Sequence, residues 1–201
     1  MSRQVLLASR NAHKLVELRR ILAPLTDIEV IGLDDVPVFD EVPESGATFA
    51  DNALIKAREA FRHTGLITVA DDSGLCVDPL NGMPGVLSAR WAGTAHDDVA
   101  NLRLVLEQLA DVPAERLGAQ FVCAAALIGA DGAEQVVEGV MTGRLVREPR
   151  GGNGFGYDPI FVADGMDQTS AELSDEAKDA ISHRGWALRV LAPLLAATAH
   201  S

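Results

Sequence analysis

The chain has 201 residues, 29 of them acidic and 17 basic, giving a formal net charge of −12 and a sequence pI near 4.7. Its length fits one domain or two intimate lobes, and 48% hydrophobic against 23% charged residues excludes a disordered tail. The acidic balance argues against a broad basic face for long nucleic acid, while a small anionic ligand stays open where local cations or a metal offset the repulsion.

Residues 5–8, all apolar, predict a short buried strand. Asn11 can cap a following helix in which Leu15, Leu18, Leu22 and Leu25 recur at helical spacing. Residues 28–31 read as a second strand and residues 34–46 as a Pro- and acid-rich loop. Thr48 and Asp51 have capping-box spacing, and Phe49, Ala53, Ala57 and Phe61 share one face of the helix they open. Residues 67–70 predict a strand that ends at Asp71-Asp72-Ser73-Gly74, with residues 75–77 extending it briefly. A third helix is expected from about Asp97 to Leu109, with Val99, Leu102, Leu106 and Leu109 inward. Residues 121–128 and 135–142 flank Asp131-Gly132, a strong hairpin signal.

A glycine-dense loop follows at residues 150–158, then a strand at 159–162. Ser174 can cap a short helix, and residues 186–197 predict another that Pro193 should bend or shorten. Strand–helix alternation with a hairpin gives an α/β chain with a mixed sheet, and with no linker between its halves it reads as one domain of two lobes. A cleft between such lobes would gather residues from distant loops.

No stretch reaches the roughly 18 uncharged apolar residues of a membrane helix; the longest candidate, residues 117–130, contains Gln120 and two glycines. The apolar part of the N-terminus is too short for a signal peptide. Cys76 and Cys123 lie in apolar surroundings with no Cys or His at metal spacing and read as buried reduced thiols. The expectation is a soluble cytoplasmic protein with neither a nucleic-acid nor a membrane partner.

Five segments can carry chemistry, and each has a plain structural alternative. Ser9-Arg10-Asn11-Ala12-His13-Lys14 follows a strand and opens a helix, where unpaired amides and the dipole suit an anion; the alternative is an ordinary Asn-capped helix. At Asp71-Asp72-Ser73-Gly74, successive side chains on an extended backbone point opposite ways, so one aspartate faces any given site. A carboxylate there suits Mg²⁺, whereas an Asx turn would explain the same residues. Glu44, in an acidic loop with Glu41, offers a second carboxylate or a merely solvated charge.

Four glycines within six residues surround Phe155, which implies close backbone approach and an aromatic placed to stack on a base; the alternative is a flexible connection. Lys178, His183 and Arg184 can neutralise phosphate or donate to a base, or simply complement helix ends. The other histidines, His13, His63, His96 and His200, lack ligand spacing, and Trp91 and Trp186 read as core or interface residues. No serine sits in a Gly-x-Ser-x-Gly setting, which disfavours acyl chemistry.

Taken in order, these segments resemble the inosine triphosphate pyrophosphatase family. The matching stretches are Ser9 to Lys14, Glu44-Ser-Gly-Ala-Thr-Phe49 with Asn52 and Lys56, and Ala70-Asp-Asp-Ser-Gly74. They continue with Gly82-Met-Pro-Gly85, Ser88-Ala-Arg90, Gly154-Phe-Gly-Tyr-Asp-Pro-Ile-Phe161, and Glu172-Leu173 through Lys178 to Ala180-Ile-Ser-His-Arg-Gly185, so that nearly the whole chain is covered. One departure is Arg10, where many relatives have glycine.

The resemblance implies an elongated α/β fold of two lobes around a central substrate cleft, a homodimer, and Mg²⁺-dependent hydrolysis of inosine, deoxyinosine and xanthosine triphosphates to monophosphate and pyrophosphate. By position it implies that Ser9, Arg10, Asn11, Ala12, His13 and Lys14 hold the triphosphate, with Ser73 and Lys56 beside it. Asp72 would be general base and metal ligand, Glu44 the second ligand, and Phe155, Gly156, Tyr157, Asp158, Lys178, His183 and Arg184 the nucleoside site. A pyrophosphatase with another base preference and a nucleotide-binding regulatory module without turnover are the competing readings. The Phe155 loop and His183-Arg184 disfavour the first, and the presence of both Asp72 and Glu44 disfavours the second.

Overall fold

The structure, a computed structural model, describes residues 3–23, 28–40, 42–94 and 96–198. It is a mixed α/β fold. One sheet contains β1 (Arg3–Leu7), β2 (Ile28–Ile31), β3 (Ile67–Val77), β4 (Met83–Pro84), β5 (Gly118–Ile128), β6 (Glu134–Leu145) and β7 (Phe161–Ala163). Its order is β2-β1-β3-β5-β6-β7, with β4 attached to β3. β1 lies parallel to β2 and to β3, with Val5 opposite both Val30 and Ile67, whereas the β3–β4 and β6–β7 pairs are antiparallel. The helices among the described residues are α1 (Ala12–Leu22), α2 (Phe49–Thr64), α3 (Asp98–Gln108), α4 (Asp175–Ile181) and α5 (His183–Thr198). None is long and apolar enough to cross a membrane.

The chain divides into two compact units. The first takes residues through Asp72, then Cys123–Gly139, then the chain from Arg184; the second takes Ser73–Val122 and Val140–His183. The boundaries fall inside β3, β5 and β6 and after the first residue of α5.

In the first unit, Val5, Leu7, Leu18, Leu22, Val69, Leu127 and Leu191 form one core. Asn11 caps α1 by accepting from the His13 amide at 2.9 Å. The leucine spacing holds through Leu22, and Leu25 lies outside the described residues, as do Glu41 and His200. α2 opens with the expected box: Thr48 Oγ1 accepts from the Asp51 amide and Asp51 Oδ2 from the Thr48 amide, each at 3.1 Å. Gly65, at φ +66°, closes the helix in the left-handed conformation that glycine adopts without penalty. The 129–133 turn of the hairpin is closed by the Gly129 amide donating to the Ala133 carbonyl at 2.9 Å.

α5 starts at His183, earlier than expected, and Pro193 does not shorten it: the helix runs on to Thr198. Leu188, Leu191 and Leu195 are buried along it, and that packing outweighs the hydrogen bond Pro removes. Trp186, expected in a core or interface, is half exposed.

The second unit has its own core, including Leu75, Val77, Leu102, Val105, Leu109, Phe121, Met141 and Phe161, with Trp91 packed against it. Val99 does not face inward as expected; it is exposed. The buried set on α3 is Asn101, Leu102 and Val105, followed by Leu109, and at helical pitch its centre lies roughly 100° from Val99. Residues 158–160 form a 3₁₀ turn, so the strand expected from 159 begins only at Phe161.

The main departure from the sequence reading is β3, which runs unbroken from Ile67 to Val77 through Asp71-Asp72-Ser73-Gly74. Gly74 is there for space, with no turn: a Cβ would lie 2.5 Å from the Gly85 carbonyl oxygen and 2.9 Å from Ser88 Cβ.

Candidate active site

Because β3 stays extended, its two aspartates point to opposite faces and collect different partners, all within the first unit. Asp72 Oδ1 accepts from Lys56 Nζ at 3.1 Å, and Asp72 Oδ2 accepts from Asn52 Nδ2 at 3.1 Å. Lys56 Nζ also donates to Glu44 Oε1 at 2.7 Å. Asn52 and Lys56 are one turn apart on α2, which places both on the face turned to Asp72. Asn52 Oδ1 accepts from the Gly46 amide at 2.8 Å and so pins the loop that carries Glu44.

Burial raises the pKa of Asp72 above the ordinary carboxylate value; Lys56 opposes the rise and Glu44 adds to it. For Lys56, burial opposes the charge, but Asp72, Asp71 and Glu44 outweigh it and raise the ammonium's pKa. Two carboxylates thus converge on one cation position. Among the described residues no cluster of three Asp, Glu, His or Cys side chains suits a metal. Mg²⁺ needs no such cluster, since it takes one or two protein carboxylates and completes its octahedron with water and phosphate oxygens.

Asp71 is buried and faces a second set of cations. Its Oδ2 lies 2.8 Å from Lys14 Nζ and 3.1 Å from Arg184 Nε, and Arg184 Nη1 reaches Glu17 Oε2 at 2.7 Å. Burial opposes ionisation of Asp71, but Lys14 and Arg184 overcome it and hold the carboxyl below its usual range. Arg184 is itself buried, and Asp71 and Glu17 keep it charged. In the loop before α1, Ser9 Oγ accepts from the Asn11 amide at 3.2 Å, Ala12 and His13 are exposed on the first turn, and Arg10 lines a depression with Leu33, Val36 and Phe39.

The second unit holds the rest, beginning with half-buried Ser73. Asp158 Oδ2 accepts from the Phe155 amide at 2.9 Å and pairs with Lys178 Nζ, which sits 5.2 Å from the Phe155 ring centre. Gly154 makes this possible at φ +71°: a Cβ would press on the Asp158 carboxylate and lie 3.0 Å from Lys178 Nζ. The Gly156 amide donates to Asp98 Oδ2 at 2.9 Å, and buried Tyr157 donates to the Ser88 carbonyl at 2.8 Å. His183 is buried and stacks on Phe121, centroids 4.9 Å apart.

The expected residues therefore form two groupings, one in each unit: Glu44, Lys56 and Asp72 with Lys14 and Arg184 close by in the first, and Phe155, Asp158 and Lys178 in the second. Three contributors were not expected as site residues. Asn52, fully buried here, carried a signal in its place within the matching stretch, one turn before Lys56. Glu17 carried only its position three residues after Lys14, and Asp71 only its place beside Asp72.

Residues 5–194 match the Ham1 family. The chain is 62% identical over 198 residues to the dITP/XTP pyrophosphatase of Nocardia farcinica, covering 98% of this chain and 96% of that protein. The crystal structure of the nucleoside-triphosphatase / dITP/XTP pyrophosphatase from Mycobacterium abscessus superposes with a TM-score of 0.78 at 59% identity, covering 94% of this chain and 99% of that one. The Staphylococcus aureus Ham1 protein gives a TM-score of 0.86 at 39% identity, covering 97% and 99%. With a match of this extent and the segments from Ser9 to Arg184 falling within it, the chain belongs to the Ham1 family.

Proposed function

We propose that this protein hydrolyses non-standard purine nucleoside triphosphates, ITP, dITP and XTP, to the monophosphate and pyrophosphate, and so cleanses the nucleotide pool. The convergence of Asp72 and Glu44 on a single cation position supports the reaction. The substrate class is supported by the names of relatives above half identity, the dITP/XTP pyrophosphatases of Nocardia farcinica and Mycobacterium abscessus. The whole chain acts as one catalytic domain, in the cytoplasm and as a homodimer, and the metal is Mg²⁺.

Asp72 and Glu44 would hold the ion, which when bound spreads the charge of the phosphate chain and makes an attacking water more acidic. Asp72 takes the proton of that water as its oxygen bonds to the α-phosphorus. The bridging α–β P–O bond breaks, and the electron pair leaves with pyrophosphate. Lys14 and Lys56 offset the charge on the phosphates. Phe155 stacks on the base, and Lys178, Asp158 and His183 supply the polar edge that a 6-oxo purine matches and a 6-amino purine mispairs. A buried polar group left unpaired in this way can cost roughly 10⁴-fold in discrimination.

The deciding experiment measures pyrophosphate and free phosphate released from ITP, XTP, ATP and GTP, with Mg²⁺ and with chelator. Mg²⁺-dependent pyrophosphate from ITP and XTP, with little from ATP and GTP, is expected. Free phosphate would mean attack at the γ-phosphorus and overturn the assignment. Binding without turnover would make the protein a regulatory module.

A further inference from the structure

The proposed chemistry uses Asp72 and leaves its neighbour idle, yet Asp71 is the more deeply buried of the two. A buried carboxylate needs partners, and Asp71 has an unusual set. Lys14 Nζ meets it twice, at the carboxylate (2.8 Å) and at the Asp71 backbone carbonyl (3.4 Å). Arg184 Nε shares the same Oδ2, so that this oxygen is divided between two cations. Arg184 in turn bonds to Glu17, three residues beyond Lys14 on α1, and the four side chains form a formally neutral run of ion pairs, with the Cys123 thiol also donating to Asp71 Oδ2 at 3.8 Å.

An ammonium carries three donors. Asp71 engages two of those on Lys14, which fixes a long side chain with several rotatable bonds and directs its third N–H. Freezing such a side chain on binding would otherwise weaken affinity. We infer that Asp71 is a positioning residue: it holds the Lys14 ammonium ready for the phosphate chain of the substrate, and takes no proton or metal itself. The inference rests on the pyrophosphatase reading for what Lys14 binds, and the experiment separates the two.

The test uses the full chain, with calorimetric binding of inorganic triphosphate beside steady-state kinetics on ITP. Asp71→Asn keeps the shape and removes the charge. It should weaken triphosphate binding roughly 10- to 100-fold, as outer partners of ligand-holding groups do, with the loss appearing mainly in KM. In a Lys14→Met background the same change should add little, because Asp71 acts through Lys14. A full additional loss in that background overturns the inference. So does a lower melting temperature with triphosphate binding unchanged, which would mark a purely structural ion pair, or a collapse of kcat with binding intact, which would make Asp71 a chemical participant. If Asp71→Asn does not fold, Asp71→Glu keeps the charge but shifts the carboxylate by one methylene, and its smaller binding loss should likewise vanish in the Lys14→Met background. Wild-type protein that binds triphosphate without hydrolysing ITP would sink the pyrophosphatase reading, and the triphosphate affinities of the variants would still decide the role of Asp71.

Discussion

Asp72 and Glu44 meet through one ammonium: Lys56 Nζ lies 3.1 Å from the first and 2.7 Å from the second. Each carboxylate raises the cost of ionising the other, and the ammonium between them offsets that cost. Lys56 therefore does structurally what a divalent ion would do at the same oxygens. Lys56→Met should destabilise the metal-free protein by on the order of 2 kcal/mol, less than a sealed ion pair because Glu44 keeps about a third of its exposure. Mg²⁺ should then stabilise the variant more than the wild type, since it relieves a repulsion that Lys56 already relieves in the parent. Equal thermal shifts with Mg²⁺ in the two proteins would disprove a shared cation position.

Asp72→Asn separates charge from shape. The amide oxygen can still accept from Lys56 or Asn52, so the local packing should survive. Basicity is gone, and turnover of ITP should fall roughly 10²- to 10⁴-fold while nucleotide binding is largely kept. A variant with near-normal kcat would place the base elsewhere.

The helices with a local start signal were legible: the Asn11 cap, the Thr48–Asp51 box and the Ser174 cap all form where the residues stand, whereas α5, without such a signal, starts earlier than its apolar pattern indicates. Strand lengths were not, and β3 shows why. Asp-Asp-Ser-Gly has turn chemistry, and β1 pairs with β3 only as far as Val69; beyond it the extended path goes with the neighbouring strands β5 and β4 and the close approach of Gly74 to Gly85. Those are contacts between distant segments, invisible to a local pattern. The same holds in the candidate site. Asp72, Lys14 and Lys178 carry a type-and-spacing signal, but the division of partners between Asp71 and Asp72 appears only once the strand is known to be straight.

Gly154 sits at φ +71° with Asp158 and Lys178 against it. Gly154→Ala adds strain and a Cβ that must push the Asp158–Lys178 pair aside, loosening the support of Phe155. KM for ITP should rise about tenfold, matching the 1–3 kcal/mol that base stacking contributes, and Phe155→Ala should do the same. An effect confined to kcat in either variant would count against a stacking role.

Cys123 offers a check on the first unit's core beside Asp71, to whose Oδ2 its thiol donates at 3.8 Å. Burial, with Asp71 nearby, pushes its thiol up to about 12. The thiolate is the reactive form, so Cys123 should resist alkylation at pH 8 until the protein unfolds, while half-buried Cys76 reacts first. The linkage has a definite sign. A group whose pKa is higher folded than unfolded adds stability below the unfolded value and loses it as pH rises, here between about 9 and 12. Cys123→Ala should therefore flatten the decline of stability across that window, measured by denaturant unfolding at successive pH values. A decline equally steep in both proteins, or ready labelling of native Cys123, would mean that the thiol is not sealed beside Asp71.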